Sequence, residues 1–254
     1  MSCLERLAVA GLLVFSFGSV ASAAEQHPHW SYAGKTGPKE WAALSEENRL
    51  CAAGQEQSPI ALQRRKASHL ADRDVAIRFG KTAGKLHNNG HTIQMDVSDG
   101  THNVVALKGG DFQLAQFHFH TPSEHHLDGK AFPMEMHLVS KDGSGKITVV
   151  GVLIKAGKQN AALAPLFADL PGSEGASRDV EIDLAAVMPS NQKALLYTGS
   201  LTTPPCSESV NWVVMEEPIQ MSRQQIAAFQ KLFHDNHRRI QPTNKRKVVE
   251  EAAG

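Results

Sequence analysis

Net charge and cysteine are both scarce in this sequence, and each scarcity narrows what the chain can be. Lysine and arginine number 26 and aspartate and glutamate 26, a formal net charge of zero with histidine neutral. Such a chain has no electrostatic reason to seek nucleic acid or an anionic membrane surface, so neither is expected as a partner. The short basic runs Arg64-Arg65-Lys66 and Asn244–Lys247 read as solvated surface, the second in a frayed tail. Internal repeats, low-complexity tracts and linkers are also missing. With 254 residues and 41% hydrophobic side chains, one substantial core and a single domain are expected.

Long apolar runs are missing too, with one exception near the start. Leu7 to Val20 is apolar, but it falls short of the roughly 20 residues that a membrane-spanning helix needs. Ala21-Ser22-Ala23 then supplies the small residues of a signal-peptidase site, although Glu5 offsets Arg6 ahead of the run. The reading is a signal peptide over residues 1–23, cleaved after Ala23, and a mature domain over 24–254 that is periplasmic or secreted. No membrane attachment remains after cleavage.

Cleavage also removes Cys3, leaving Cys51 and Cys206. In an oxidising compartment an even pair favours a disulfide over two buried free thiols. A bridge closing so long a loop would stabilise by roughly 4–5 kcal/mol in the chain-entropy account.

What is present in abundance is β pattern. Val75–Phe79, Thr92–Val97, Asn103–Leu107, Phe112–His120, Met134–Ser140, Ile147–Lys155 and Val210–Met215 are alternating or β-rich, and Asn-Gly and Asp-Gly turns separate several of them. Only Asn160–Leu170 and Ser222–Phe233 look helical, the second behind a good N-cap serine. These segments predict a mainly β (α+β) domain, built on a large, twisted, mostly antiparallel central sheet with a few peripheral helices.

One segment alternates two opposite kinds of ring: Gln116-Phe117-His118-Phe119-His120. On a strand, residues two apart share a face, so His118 and His120 point one way and the phenylalanines point into a core. Met134–Val139 alternates likewise and puts Glu135, His137 and Val139 on one face. The intervening connection is long enough for His137 to return antiparallel beside the first pair. Three imidazoles would then converge, with Gln116 and Glu135 placed to accept the ring N–H that metal ligation leaves free. An isolated HxH is usually just an exposed strand pair. Here five of the 13 histidines fall between His118 and His137, which favours a metal site.

QFHFHTPSEH at Gln116–His125, EMHLV at Glu135–Val139 and GSLTTPPC at Gly199–Cys206 together resemble the α-class carbonic anhydrases, in their exported bacterial branch. HWSY at His29–Tyr32, QSPI at Gln57–Ile60, NNGH at Asn88–His91 and Gln241-Pro242 extend the resemblance from Trp30 almost to the C-terminus. It implies a zinc enzyme for the reversible hydration of CO2 to bicarbonate and a proton. Zn2+ would be held by His118, His120 and His137, with water or hydroxide in the fourth position. Thr202 would donate to Glu124 and accept from the hydroxide, and His91 would carry the proton to solvent. Gln116, Glu135 and the backbone carbonyl of Asn236 would orient the three ligands. Val139, Val149, Leu201, Val210, Trp212 and Thr203 would line the CO2 pocket. Cys51 and Cys206 coincide with that branch's disulfide. His125 would be a structural hydrogen-bonding residue, and His126 has no assigned role.

CO2, bicarbonate and water are the small-molecule partners implied, with sulfonamide- and anion-type inhibitors and a homodimer as further ones. Two departures are visible: Thr121-Pro122 follows His120 where vertebrate members have tryptophan, and Gln94 stands where asparagine is common beside the shuttle. Neither touches a ligand. The rival readings are a non-catalytic binding module on the same fold, which would lack a ligand histidine, and a zinc carrier, which has no use for the Thr202–Glu124 pair.

Overall fold

The computed structural model describes residues 29–69 and 75–252. The expected signal peptide, its cleavage point and Cys3 lie outside these residues. The expected strands form at nearly the expected places, and they pair into one sheet. Its main path runs Ser177–Asp183, Lys81–Asn88, Ile93–Val97, Gly110–His120, Met134–Lys141, Ile147–Ala156, Glu208–Met215, Lys193–Ser200, Val249–Ala252 and Ser68–His69. Pairing along it is antiparallel except between Ile147–Ala156 and Glu208–Met215 and at the Val249–Ala252/Ser68–His69 edge.

The central strands are apolar on both faces because both faces are covered. Seven consecutive residues from Met134 are buried. On one face Phe117, Phe119, Met134, Met136 and Leu138 join a core closed by Leu166, Ile226 and Phe229. On the other, Val139, Val149, Val210 and Trp212 join a second core with Tyr197.

Between Leu114 and Gln116 the pairing with Met134–Lys141 slips at a β-bulge. Buried positions are even-numbered before it (Phe112, Leu114) and odd-numbered after it (Phe117, Phe119). The extra residue, Ala115, thereby keeps Phe117 and Phe119 on the core face of Phe112 and Leu114 and leaves Gln116, His118 and His120 on the other.

Ser177–Asp183, Lys81–Asn88 and Lys193–Ser200 are strands that the sequence pattern does not predict, and three of the segments it does describe fold differently. Asn160–Leu170 contains only the helix Ala164–Phe167. Pro165 sits in its first turn, and the Asn160 side chain closes a turn on Leu163 N–H instead of continuing a helix. The guanidinium of Arg178 then bonds the carbonyls of Pro165, Leu166 and Asp169. Ser222 does cap a helix, Arg223–Gln230, through a capping box with Gln225, but the regular part ends short of Phe233. The expected frayed tail is corrected outright: Asn244–Lys247 leads into Val249–Ala252, which pairs antiparallel with Lys193–Ser200. Arg246 anchors the approach by donating to the carbonyls of Gln57, Thr198, Pro242 and Thr243.

Cys51 and Cys206 form a disulfide across 155 residues of sequence. It packs with Trp41 beneath Trp30 and Tyr32, and so ties the N-terminal segment to the loop that carries Thr202.

Candidate metal centre

The antiparallel register places His118 directly opposite His137, and His120 opposite Glu135. The three ring centroids are 4.5–5.3 Å apart, and one ring nitrogen from each lies within 4.8 Å of the others.

Hydrogen bonding decides which nitrogen that is. His118 Nδ1 lies 2.8 Å from Gln116 Oε1, His120 Nδ1 2.7 Å from the Asn236 carbonyl, and His137 Nε2 2.9 Å from Glu135 Oε1. Each partner can only accept, so each of these ring nitrogens carries the proton and donates. The unprotonated nitrogens are therefore Nε2 of His118, Nε2 of His120 and Nδ1 of His137. His120 Nε2 is buried without a hydrogen-bond partner, an orphaned lone pair of the kind a metal would satisfy. Burial favours the neutral rings: it pushes His120 down to about 4, and His118 and His137 also below their usual value. Neutral imidazoles with inward lone pairs are the donor set zinc takes.

Glu135 is the most heavily used acceptor in the site. Its Oε1 takes His125 and His137, and its Oε2 takes the backbone N–H groups of Glu124 and His125, all at 2.7–2.9 Å. Burial alone would raise this carboxyl. His125 and His137 beside it, and the hydrogen bonds they donate, hold it well below the ordinary range.

The same carboxylate settles the role of His125. That residue groups spatially with Glu135 and His137, yet its Nδ1 donates to Glu135 and its Nε2 lies 2.6 Å from the Tyr197 hydroxyl. Both nitrogens are engaged, so no lone pair is left for a metal. Tyr197 continues the chain to Ser58, which receives Ser200 N–H. This buried relay locks the strand preceding Thr202, and the sequence alone offered no pattern pointing to Tyr197.

Glu124 is fully buried, accepts Arg238 N–H at 2.7 Å, and faces His137 Nδ1 at 3.9 Å. Burial raises its pKa, against the lowering effects of His137, Arg238 and Thr202. Thr202 lies close enough to act on that carboxylate, but Glu124 Oε2 has no partner in hydrogen-bond geometry. The two side chains are therefore adjacent without a closed bond in this conformation.

The triad lies against the second core: the Trp212 ring meets His137 edge-on at 4.9 Å, and its indole N–H donates to the Ser200 carbonyl. Val139, Val149, Val210 and Trp212 are buried in one cluster with Leu201 packed on it, and Thr203, two residues further along the chain, is half-buried.

Asn236 ties His91 to the triad: its side-chain amide donates to the carbonyls of His91 and Phe119, and its own carbonyl accepts from His120. The His91 ring stacks flat on Trp30, 3.7 Å between centroids and 6° between planes. Trp30 stood in the HWSY stretch, but sequence reasoning gave it no place in the site. Asn89 and Gln94 bond each other nearby.

Comparison with known proteins identifies the family. The profile of the eukaryotic-type carbonic anhydrases matches residues 36–252. The chain belongs to that family. A carbonic anhydrase of Klebsiella pneumoniae is 40% identical, covering 96% of this chain and 98% of its own. One from a Nostoc species is 41% identical, with 87% and 86% covered. Among solved structures, the α-carbonic anhydrase of Thermovibrio ammonificans in complex with the inhibitor sulfanilamide superposes with a TM-score of 0.84. It is 42% identical and covers 87% of this chain and 99% of its own. The protein is thus a carbonic anhydrase by sequence and by fold, and family members are metalloenzymes.

Proposed function

We propose that the enzyme hydrates CO2 reversibly through a zinc ion held by His118 Nε2, His120 Nε2 and His137 Nδ1, with His91 passing the proton to solvent. One observation carries the reading: three neutral imidazoles, each pinned at its far nitrogen by a fixed acceptor, turn three lone pairs to one locus. Zinc bound there supplies a Lewis acid that brings the pKa of water to about 7, the value established for carbonic anhydrases as a class.

The remaining work falls to side chains. Gln116, Glu135 and Asn236 hold the ligand tautomers. Glu124 as a carboxylate can only accept, so a Thr202 hydroxyl that turns its proton to Glu124 offers its oxygen to the reacting water as acceptor. That arrangement orients the nucleophile. Val139, Val149, Leu201, Val210 and Trp212 form an apolar wall suited to CO2, which has no use for hydrogen-bond donors, and Thr203 adds a polar edge where bicarbonate leaves. His91 is half-buried, and burial followed by His29 lowers its pKa, which favours release of the proton once it is accepted.

Sulfonamide binding follows by similarity to the Thermovibrio protein. The disulfide and the N-terminal pattern support export to the periplasm or beyond. Stopped-flow hydration assays on zinc-quantified protein, wild type beside His118→Ala, test the proposal. Fast hydration lost in the variant is expected. An undiminished rate in His118→Ala would overturn the ligand assignment.

A further inference from the structure

The turn that carries His91 is fastened to a second turn far away in sequence. Gly175 N–H donates to the Asn88 carbonyl at 2.9 Å, Asn88 N–H to the Ala176 carbonyl at 3.0 Å, and the Asn88 side chain to the Pro171 carbonyl at 3.1 Å. Asn88 and Asn89 also receive the N–H groups of Gly90 and His91. Three hydrogen bonds therefore join the two turns into one unit.

Gly90 has a φ of +83°, and a Cβ there would meet the Glu174 carboxylate at 2.9–3.2 Å. Glycine thus serves twice: it takes the left-handed conformation and lets the carboxylate rest against the backbone one residue before His91. Among the described residues, Glu174 forms no ion pair with a lysine or arginine.

The charged or titratable groups that act on His91 are few. His29, from the N-terminal segment, lies 6.2 Å away between ring centroids, and Glu174 comes from the facing turn. Trp30 and the Asn236 amide are neutral. Burial and His29 both oppose a proton on His91, and Glu174 alone favours one.

We propose that Glu174 is a positioning residue of the proton path: its carboxylate, laid against Gly90, holds the proton on His91 between the site and the solvent. The inference rests on the reading of His91 as the proton-transfer group. It goes beyond that reading by naming an anion that partly offsets the burial of a tryptophan-stacked imidazole.

The test follows the His91 ring by NMR titration in zinc-loaded wild type and Glu174→Gln. Loss of one nearby surface charge is expected to lower the His91 midpoint by roughly half a pH unit. That difference should shrink with added salt, because an exposed carboxylate is screened. In stopped-flow assays the His91-dependent limb of kcat moves acidward by the same amount. The kcat/KM for CO2 stays unchanged, since proton export follows product release, and Glu174→Gln has no effect in a His91→Ala background. An unmoved His91 midpoint overturns the proposal directly. A midpoint that moves while His91→Ala leaves kcat intact fails the shuttle reading instead, and the role of Glu174 with it.

Discussion

Replacing Glu135 with glutamine changes one atom and reverses a hydrogen-bond pattern. The native carboxylate accepts four hydrogen bonds, two from imidazoles on Oε1 and two from backbone N–H groups on Oε2. A glutamine can satisfy only one of these pairs. With its oxygen toward the backbone, the amide N–H2 faces two ring N–H groups. His137 can then match it only by moving its proton to Nδ1, the nitrogen proposed to bind zinc. With the amide turned over, two buried backbone donors face a donor instead. Restoring the ligating tautomer against this mismatch costs about 2–3 kcal/mol, the size of a hydrogen bond to a charged group. At 1.4 kcal/mol per tenfold, zinc affinity falls by about 30–150-fold, near the upper range for such supporting groups. Gln116→Ala removes only a neutral acceptor from a less buried ring and should cost clearly less. Competition with a chelator of known affinity measures both, with a melting curve to show that each variant folds. Glu135→Gln binding zinc within twofold of wild type would refute the tautomer argument.

Other expectations follow from the same packing. Stripped of metal, the protein should lose stability as pH falls below 6.5, because the unfolded chain then takes up protons that the buried rings refuse; His120, held at about 4, contributes about 3 kcal/mol over that interval. Glu124, raised by burial, opposes this in part, so chemical denaturation from pH 7.5 to 4.5 should show a net decline, and a flat profile would contradict it. The double variant Cys51→Ser/Cys206→Ser releases a loop spanning 155 residues and should lower stability by about 5 kcal/mol. That corresponds to a melting midpoint lower by about 10–20 °C for a domain of this size, readable by calorimetry. Ser222→Ala breaks the capping box with Gln225 and should cost about 1 kcal/mol, with hydration kinetics unchanged.

Much of this was legible because strand periodicity is a strong signal. The His118/His120 face, its return at His137 and the buried phenylalanines all follow from a period of two. The strand Lys81–Asn88 was harder to see: its buried positions are Thr82, Gly84, Leu86 and Asn88, only one of them a large apolar side chain. Asn160–Leu170 misled in the opposite direction, since alanine and leucine favour a helix while Pro165 and an Asn160-closed turn confine it. The tail looked frayed because lysine and arginine dominate it, yet Arg246 spends its donors on backbone carbonyls and the chain re-enters the sheet. Within the site, composition could nominate ligands but not tautomers. Those depend on Asn236 meeting His120 across 116 residues and on Tyr197 meeting His125 across 72, contacts that only the folded sheet creates.

Zinc-dependent catalysis is tested by titrating zinc into metal-stripped protein while following CO2 hydration by stopped flow. Activity is expected to rise linearly and break at one zinc per chain, with His118→Ala showing no such rise. One tightly held zinc per chain with no hydration above buffer would contradict zinc-dependent catalysis and leave a metal-binding module.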